Sequence, residues 1–81
     1  MSSVANVEEE IRQLVAEILE VEPHTINPDA KLVEDLGMDS MMALEIVASI
    51  EKKYKIKLPE QELRNVTTLN RIIGTTRDYV H

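Results

Sequence analysis

Apolar residues recur every three or four positions in three separate stretches of this 81-residue chain. In the first stretch they are Val7, Ile11, Leu14, Val15 and Ile18. In the second they are Met41, Leu44, Val47, Ile50 or Ala48, and Tyr54. In the last the inward positions are Leu69, Ile72, Ile73, Thr76 and Val80. This spacing puts each set on one face of a helix, and no stretch has the alternation of a strand. The sequence therefore predicts an all-α fold.

Capping residues indicate where the first two helices begin. Asn6 and Glu9 have the spacing of a capping box, which predicts a helix from Asn6 to about Leu19. Asp39 is a good N-cap for the next helix, which we expect to begin at Asp39 or Ser40.

Similar signals indicate two further helices. Pro59 is tolerated at a helix start and predicts a short helix over residues 60–64. Thr67 or Thr68 is expected to cap the last helix, and Gly74 lies inside that helix as a weak point.

A long connection from Val21 to Gly37, which contains Pro23 and Pro28, separates the first two helices. Loops of this length in compact domains tend to be functional. Its apolar residues expected to pack onto the core are Ile26, Leu32 and Leu36. The predicted architecture is one domain over residues 1–81, a small four-helix bundle with three longer helices, one short helix and this long loop.

Composition excludes several classes of function. A net charge of −6, with Tyr54 and Tyr79 as the only aromatic residues, argues against nucleic-acid binding. Without cysteine there is no thiolate nucleophile, disulfide or cysteine-based zinc site, and His24 and His81 have no neighbouring metal ligands. We expect no base–nucleophile set, hence no enzyme, and no metal site.

The acidic charge is concentrated in residues 1–39, which carry ten acids and two bases, against five acids and seven bases in residues 40–81. This asymmetry favours basic partner proteins, or alternatively reflects only a solvated surface. No apolar run approaches the roughly 20 residues that span a bilayer. The N-terminal residues resemble neither a signal nor a transit peptide, so we expect a cytoplasmic protein without membrane insertion.

Ser40 lies where the acidic loop ends and an amphipathic helix begins. We expect its hydroxyl to be exposed, close to a helix N-terminus and followed by large apolar side chains. This position suits covalent attachment, although an ordinary first-turn serine is the structural alternative.

The segment Val33–Met41, with the sequence VEDLGMDSM, closely resembles the prosthetic-group attachment motif of acyl carrier proteins. The resemblance continues through the amphipathic helix, the stretch Ile56–Glu60 and the stretch Val66–Leu69, and so covers nearly the whole chain.

This resemblance implies that Ser40 receives 4′-phosphopantetheine from coenzyme A through a separate phosphopantetheinyl transferase. Asp39 would help to organise the metal and the nucleophile during that transfer. The arm supplies the thiol that the sequence lacks, and it would present acyl thioesters to acyl-loading and acyl-processing enzymes, such as synthases and acyltransferases, of fatty-acid, lipid or polyketide biosynthesis. We expect the carrier to be a monomer.

In carriers of this family, inward-facing residues of the later helices can part to admit an acyl chain. The matching positions here are Val47, Ile50, Leu58, Leu63, Val66 and Leu69. The alternative is that these residues are simply the core, without a pocket that opens.

The family also docks its partners on the helix that follows the serine. The expected docking residues are Glu34, Asp35, Asp39, Met41, Met42, Glu45, Ile46 and Glu51. Met42 stands where housekeeping fatty-acid carriers typically have an acid, and Lys52 and Lys53 replace acids further along. We therefore expect an exposed apolar flank at Met42, Ala43 and Ile46 and a dedicated rather than housekeeping pathway. Alternatively, Met42 and Ile46 only widen the core-facing stripe.

Two other functions stay open. A peptidyl or D-alanyl carrier would share Ser40 and the arm but carry an amino acid. An unmodified helical adaptor would use the same helix only as a binding face.

Overall fold

The computed structural model describes residues 4–80, with side chains described from Asn6 to Val80. The α-helices are α1 (Val4–Leu19), α2 (Leu32–Leu36), α3 (Ser40–Tyr54) and α4 (Leu69–Tyr79). Two 3₁₀ helices cover Pro23–Thr25 and Glu60–Asn65. Residues 4–80 contain no strand, and none of their helices is long and apolar enough to cross a membrane. The predicted all-α bundle is confirmed; His81 and residues 1–3 lie outside the described residues.

The core forms where α1 packs against both α3 and α4. The buried apolar side chains from these helices are Val7, Ile11, Val15, Ala16, Leu19, Ile46, Ile50, Leu69, Ile72 and Ile73. Thr76 is also buried, and its hydroxyl donates a 2.8 Å hydrogen bond to the carbonyl of Ile72 one turn earlier. The inward faces predicted for α1 and α4 are thus largely those observed.

The long connection before α3 is fastened to the bundle at several points. Ile26 and Leu32 are buried and Leu36 is partly buried, as predicted. The Arg12 guanidinium on α1 donates hydrogen bonds to the carbonyls of Pro23, at 3.1 Å, and Ile26, at 2.9 Å. These contacts fix the path of the chain towards α2, which the sequence did not reveal because five residues are too few to show a helical period.

The predicted helix limits agree with the structure to within one residue, except at the start of α1. Helix α1 begins at Val4, so Asn6 lies within it and the predicted capping box is wrong. Thr68 caps α4 by accepting a 3.1 Å hydrogen bond from the amide of Arg71. The short helix after Pro59 is a 3₁₀ helix that ends at Asn65, one residue beyond the predicted limit.

The face that α3 turns inward differs from the predicted one. Met41 and Leu44 are 70% and 53% exposed, whereas Ile46, predicted to be exposed, is fully buried. Met42 and Ala43 are half-buried, so the predicted exposed apolar flank is wrong. The inward stripe follows Met42, Ile46 and Ile50 at intervals of four residues, because α3 packs against α1 and the second 3₁₀ helix.

Candidate functional site

Ser40 is the first residue of α3, and its side chain is exposed. Asp39 precedes it in an extended conformation, and its Oδ1 accepts a 2.9 Å hydrogen bond from the amide of Met42. The Asp39 carbonyl accepts a second bond, of 3.0 Å, from the amide of Ala43. Asp39 is therefore the N-cap, as predicted. The cap fixes the start of α3, and with it the position from which the Ser40 side chain extends.

A tight turn before Asp39 positions this cap. Gly37 adopts the left-handed conformation, with φ of 73°, at the end of α2. The amide of Met38 donates to the carbonyl of Leu32 at 3.0 Å, and the amide of Gly37 donates to the carbonyl of Val33 at 3.2 Å. The bond from Gly37 is that of an αL C-cap, which commonly ends a helix at a glycine. Since the Met38 side chain is buried, the turn is anchored on the core.

The surroundings of Ser40 suit a phosphate ester. The amides of Ser40 and Met41 open α3 and have no acceptor one turn earlier in the helix, so the helix offers its positive end beside the hydroxyl. An anion attached there is stabilised by the helix dipole. The residues at this position therefore fit a phosphodiester linked through the serine oxygen.

Residues 9–75 match the protein family described as "Phosphopantetheine attachment site". A Streptomyces avermitilis protein named "Polyketide-8 synthase acyl carrier protein 2" is 44% identical over 61 residues, which cover 75% of this chain and 70% of that protein. The "Acyl carrier protein" of Wolinella succinogenes is 34% identical over 65 residues, covering 80% of this chain and 86% of that protein. The chain belongs to the acyl carrier protein family.

A solved structure of a free-standing peptidyl carrier protein from an Acinetobacter baumannii secondary metabolic pathway resembles this carrier closely. The TM-score is 0.78 at 33% sequence identity, with 94% of each chain covered. Carriers of this family are not catalysts, and their cofactor is 4′-phosphopantetheine. This carrier is therefore not an enzyme, and it interacts with a phosphopantetheinyl transferase and with synthase enzymes in general.

The residues predicted to dock partners of the carrier do not form one surface. Glu34, Asp35, Met41 and Glu45 are exposed, Met42 is half-buried and Ile46 is buried. Glu51 lies about three turns after Ser40, and its Oε2 accepts a 2.8 Å hydrogen bond from the amide of Leu58. Two further apolar residues, Val33 and Leu44, are more than half exposed, and the sequence did not predict that they lie on the surface.

The predicted acyl pocket corresponds in part to a small inner pocket between α3, α4 and the second 3₁₀ helix. Its volume is only about 10 Å³. Four of the six predicted residues line it: Val47, Ile50, Leu58 and Val66. Leu63 and Leu69 do not line it, whereas the polar residues Glu62, Asn65, Thr75 and Thr76 do.

A larger cavity, the Ser40 groove, opens beside the serine itself. It has a volume of about 400 Å³ and lies between the start of α3 and the junction of the second 3₁₀ helix with α4. Its lining includes Ser40, Leu44, Leu63 and Arg64. Nothing in the sequence indicated this groove, because its walls come from two separate segments, residues 33–44 and residues 63–67.

Proposed function

We propose that the Ser40 oxygen is the attachment point of 4′-phosphopantetheine, and that the carrier holds acyl groups there as thioesters on the arm's thiol. The supporting observation is an exposed hydroxyl on the first residue of α3, beside the N-cap Asp39, in a chain of this family. Ser49, the other serine among residues 4–80, lies half-buried in the middle of α3. A hydroxyl in that position has no helix N-terminus beside it.

The attachment reaction assigns a role to each of the two residues. Ser40 Oγ supplies the nucleophile and loses its proton as the new oxygen–phosphorus bond forms. The phosphorus–oxygen bond to the adenosine bisphosphate half of coenzyme A breaks, and that half leaves. Asp39 is exposed next to the nucleophile, so its carboxylate can help to hold the divalent cation that the transferase uses.

Intact mass spectrometry tests the attachment site. The purified chain is incubated with coenzyme A and a broad-specificity phosphopantetheinyl transferase, in parallel with Ser40→Ala and Ser49→Ala. We expect one phosphopantetheinyl increment on the wild type and on Ser49→Ala, and none on Ser40→Ala. An increment on Ser40→Ala would refute the assignment to Ser40. No increment on folded wild type with two distinct transferases would also refute it and would favour the helical adaptor.

For the cargo, we propose an acyl group rather than an amino acid. The relative that is 44% identical is named as a polyketide synthase carrier, which favours the acyl cargo. The resemblance to a peptidyl carrier at 33% identity supports the second candidate, an aminoacyl cargo, of which D-alanine is one case. Loading the holo-protein with a malonyl transferase and malonyl-coenzyme A, against a panel of adenylating enzymes with amino acids, separates the two. Thioester formation only with an adenylating enzyme would overturn the acyl proposal.

For the partners, we propose docking on the surface around Ser40, in a dedicated pathway. Three exposed apolar side chains, Val33, Met41 and Leu44, lie near Ser40 in sequence, and the carboxylates of Glu34 and Glu45 extend this surface. Charged groups of this kind steer encounter with basic partners, while apolar groups contribute to affinity. We include in this proposal a single-domain monomer that acts in the cytoplasm.

Binding to a general ketoacyl synthase tests the dedicated pathway. We expect the holo-protein to bind more weakly than a housekeeping acyl carrier protein does. Equal affinity would count against a dedicated pathway and leave the docking surface itself intact.

A further inference from the structure

The lining of the Ser40 groove includes both the proposed attachment point and a positively charged side chain, Arg64. We propose that this groove is the resting site of the phosphopantetheine arm, and that Arg64 binds the phosphodiester. This inference rests on attachment at Ser40. The arm is proposed to bind in the groove beside the start of α3 and not in the inner pocket between α3 and α4.

The size and position of the groove suit a tethered ligand. Its volume of about 400 Å³ falls within the range of small-molecule sites in proteins. Because Ser40 is itself part of the lining, an arm attached there stays beside the groove at all times. Tethering gives a high effective concentration, so a modest intrinsic affinity is enough to keep the site occupied.

The lining matches the chemistry of the arm along its length. The arm has an anionic phosphodiester at the serine end, then a carbon bearing two methyl groups, then two amides and the thiol. Leu44 and Leu63 offer apolar surface for the methyl groups, and Thr67 offers an exposed hydroxyl that can bond an amide. Arg64 provides the cation.

Arg64 differs from the other three arginines of the chain. Arg12 binds two loop carbonyls, Arg71 donates to Asn65 Oδ1 at 3.3 Å, and Arg77 forms a 3.1 Å ion pair with Glu8. Among residues 4–80, Arg64 takes part in neither a side-chain hydrogen bond nor an ion pair. A guanidinium binds a phosphate with two parallel hydrogen bonds, so its donors suit the diester.

The charges around Ser40 make this cation important. Asp39 lies next to the serine, and Glu34 and Asp35 lie on α2 nearby in the chain, so these carboxylates offset part of the attraction of the helix N-terminus for an anion. Of the residues that line the groove, Arg64 alone carries a positive charge. We therefore expect the diester to lie on the side of the second 3₁₀ helix, bound by Arg64. The rest of the arm then lies in the groove.

Nuclear magnetic resonance of the isotope-labelled holo-protein tests this site. We expect nuclear Overhauser effects between the two arm methyl groups and the methyls of Leu44 and Leu63. Conversion of the apo-protein to the holo-protein should also shift the resonances of Leu63, Arg64 and Val66. In Arg64→Gln these effects should be lost and the arm should become mobile, whereas Arg64→Lys should retain part of them.

Arg77→Gln is the matched control, because it removes the same charge from the surface of α4, outside the groove lining. We expect it to leave the arm contacts unchanged. Intact mass is recorded on every sample, so failed attachment is distinguished from attachment without groove binding. A mobile arm in wild-type holo-protein, or contacts that survive in Arg64→Gln, would overturn the proposal.

Discussion

The phenol of Tyr79 donates a 2.8 Å hydrogen bond to Oε2 of Glu62, which ties the end of α4 to the second 3₁₀ helix. The other oxygen of Glu62, Oε1, accepts a hydrogen bond from the side-chain amide of Asn65. The Oδ1 atom of Asn65 in turn accepts a hydrogen bond from Nε of Arg71. Since Glu62 and Asn65 line the inner pocket, this polar network lies against the pocket wall. The hydrogen bond to Glu62 also raises the pKa of Tyr79, with burial and nearby carboxylates as smaller causes.

Tyr79→Phe removes this tie while keeping the ring. We expect amide hydrogen exchange over residues 60–66 to accelerate several-fold, because the 3₁₀ helix then opens more often. Tyr54→Phe, which alters a hydrogen bond on a different helix pair, serves as the control. Unchanged exchange over residues 60–66 in Tyr79→Phe would show that apolar packing alone holds this segment.

Tyr54 should make the stability of the fold depend on alkaline pH. Burial raises its pKa above the ordinary value of 10.0, and the 2.6 Å hydrogen bond to Glu10 and the charge of that carboxylate add to the shift. A raised pKa means that the folded state holds the proton more tightly, so this stabilisation is complete below pH 10.0 and declines as the pH rises above it. We expect urea unfolding to show a steeper loss of stability above that pH in wild type than in Tyr54→Phe.

Asp39 combines a capping role with a proposed role in phosphopantetheine transfer, and two substitutions separate them. Asp39→Ala should lower the free energy of unfolding by about 1 kcal/mol, since the bond to the Met42 amide is lost. Asp39→Asn keeps a capping oxygen and should leave stability nearly unchanged. If the carboxylate helps to hold the cation, both variants should be modified more slowly than wild type in a mass-spectrometric time course. Normal rates in Asp39→Asn would restrict Asp39 to capping.

The orientation of α3 predicts opposite effects for two neighbouring apolar residues. Ile46→Val removes a methyl group from a fully buried side chain and should cost about 1 kcal/mol of unfolding free energy. Leu44→Ala should change stability by no more than about 0.5 kcal/mol, because Leu44 is largely exposed. Leu44→Ala should instead weaken binding to partner enzymes. Urea unfolding and a binding titration on both variants check this contrast.

Lys55 ends α3 in the left-handed conformation, with φ of 55°. Glycine adopts this conformation without steric cost, so Lys55→Gly should raise the free energy of unfolding by up to about 1 kcal/mol. Lys52→Gly, inside the same helix, should lower it by about 1 kcal/mol. Thermal unfolding of the two variants should therefore shift in opposite directions.

The sequence predicted those features that depend on local chemistry. Asp39 and Thr68 cap their helices as expected, because a cap is a contact within one turn. The inward face of α3 was predicted wrongly because apolar residues surround its first two turns, and only packing against the rest of the bundle, chiefly α1, selects Ile46 over Leu44.

The features around Ser40 that the sequence did not predict depend on contacts between distant parts of the chain. Arg64 follows the serine by 24 positions, and nothing in its local sequence indicates that it lines the same groove. The polar wall of the inner pocket was missed for the same reason, since Glu62 and Thr75 come from different helices.

Two backbone hydrogen bonds couple the motions of two segments of this molecule. The amide of Leu32, at the start of α2, donates a 2.9 Å hydrogen bond to the carbonyl of Thr67, just before α4. The amide of Asn70 likewise donates to the carbonyl of Pro28 at 3.1 Å. These bonds connect the segment that precedes Ser40, residues 28–32, with the start of α4. Opening either segment breaks these shared hydrogen bonds, so we expect the two segments to open together as one cooperative unit. A partner that displaces Ser40 would therefore also destabilise the start of α4.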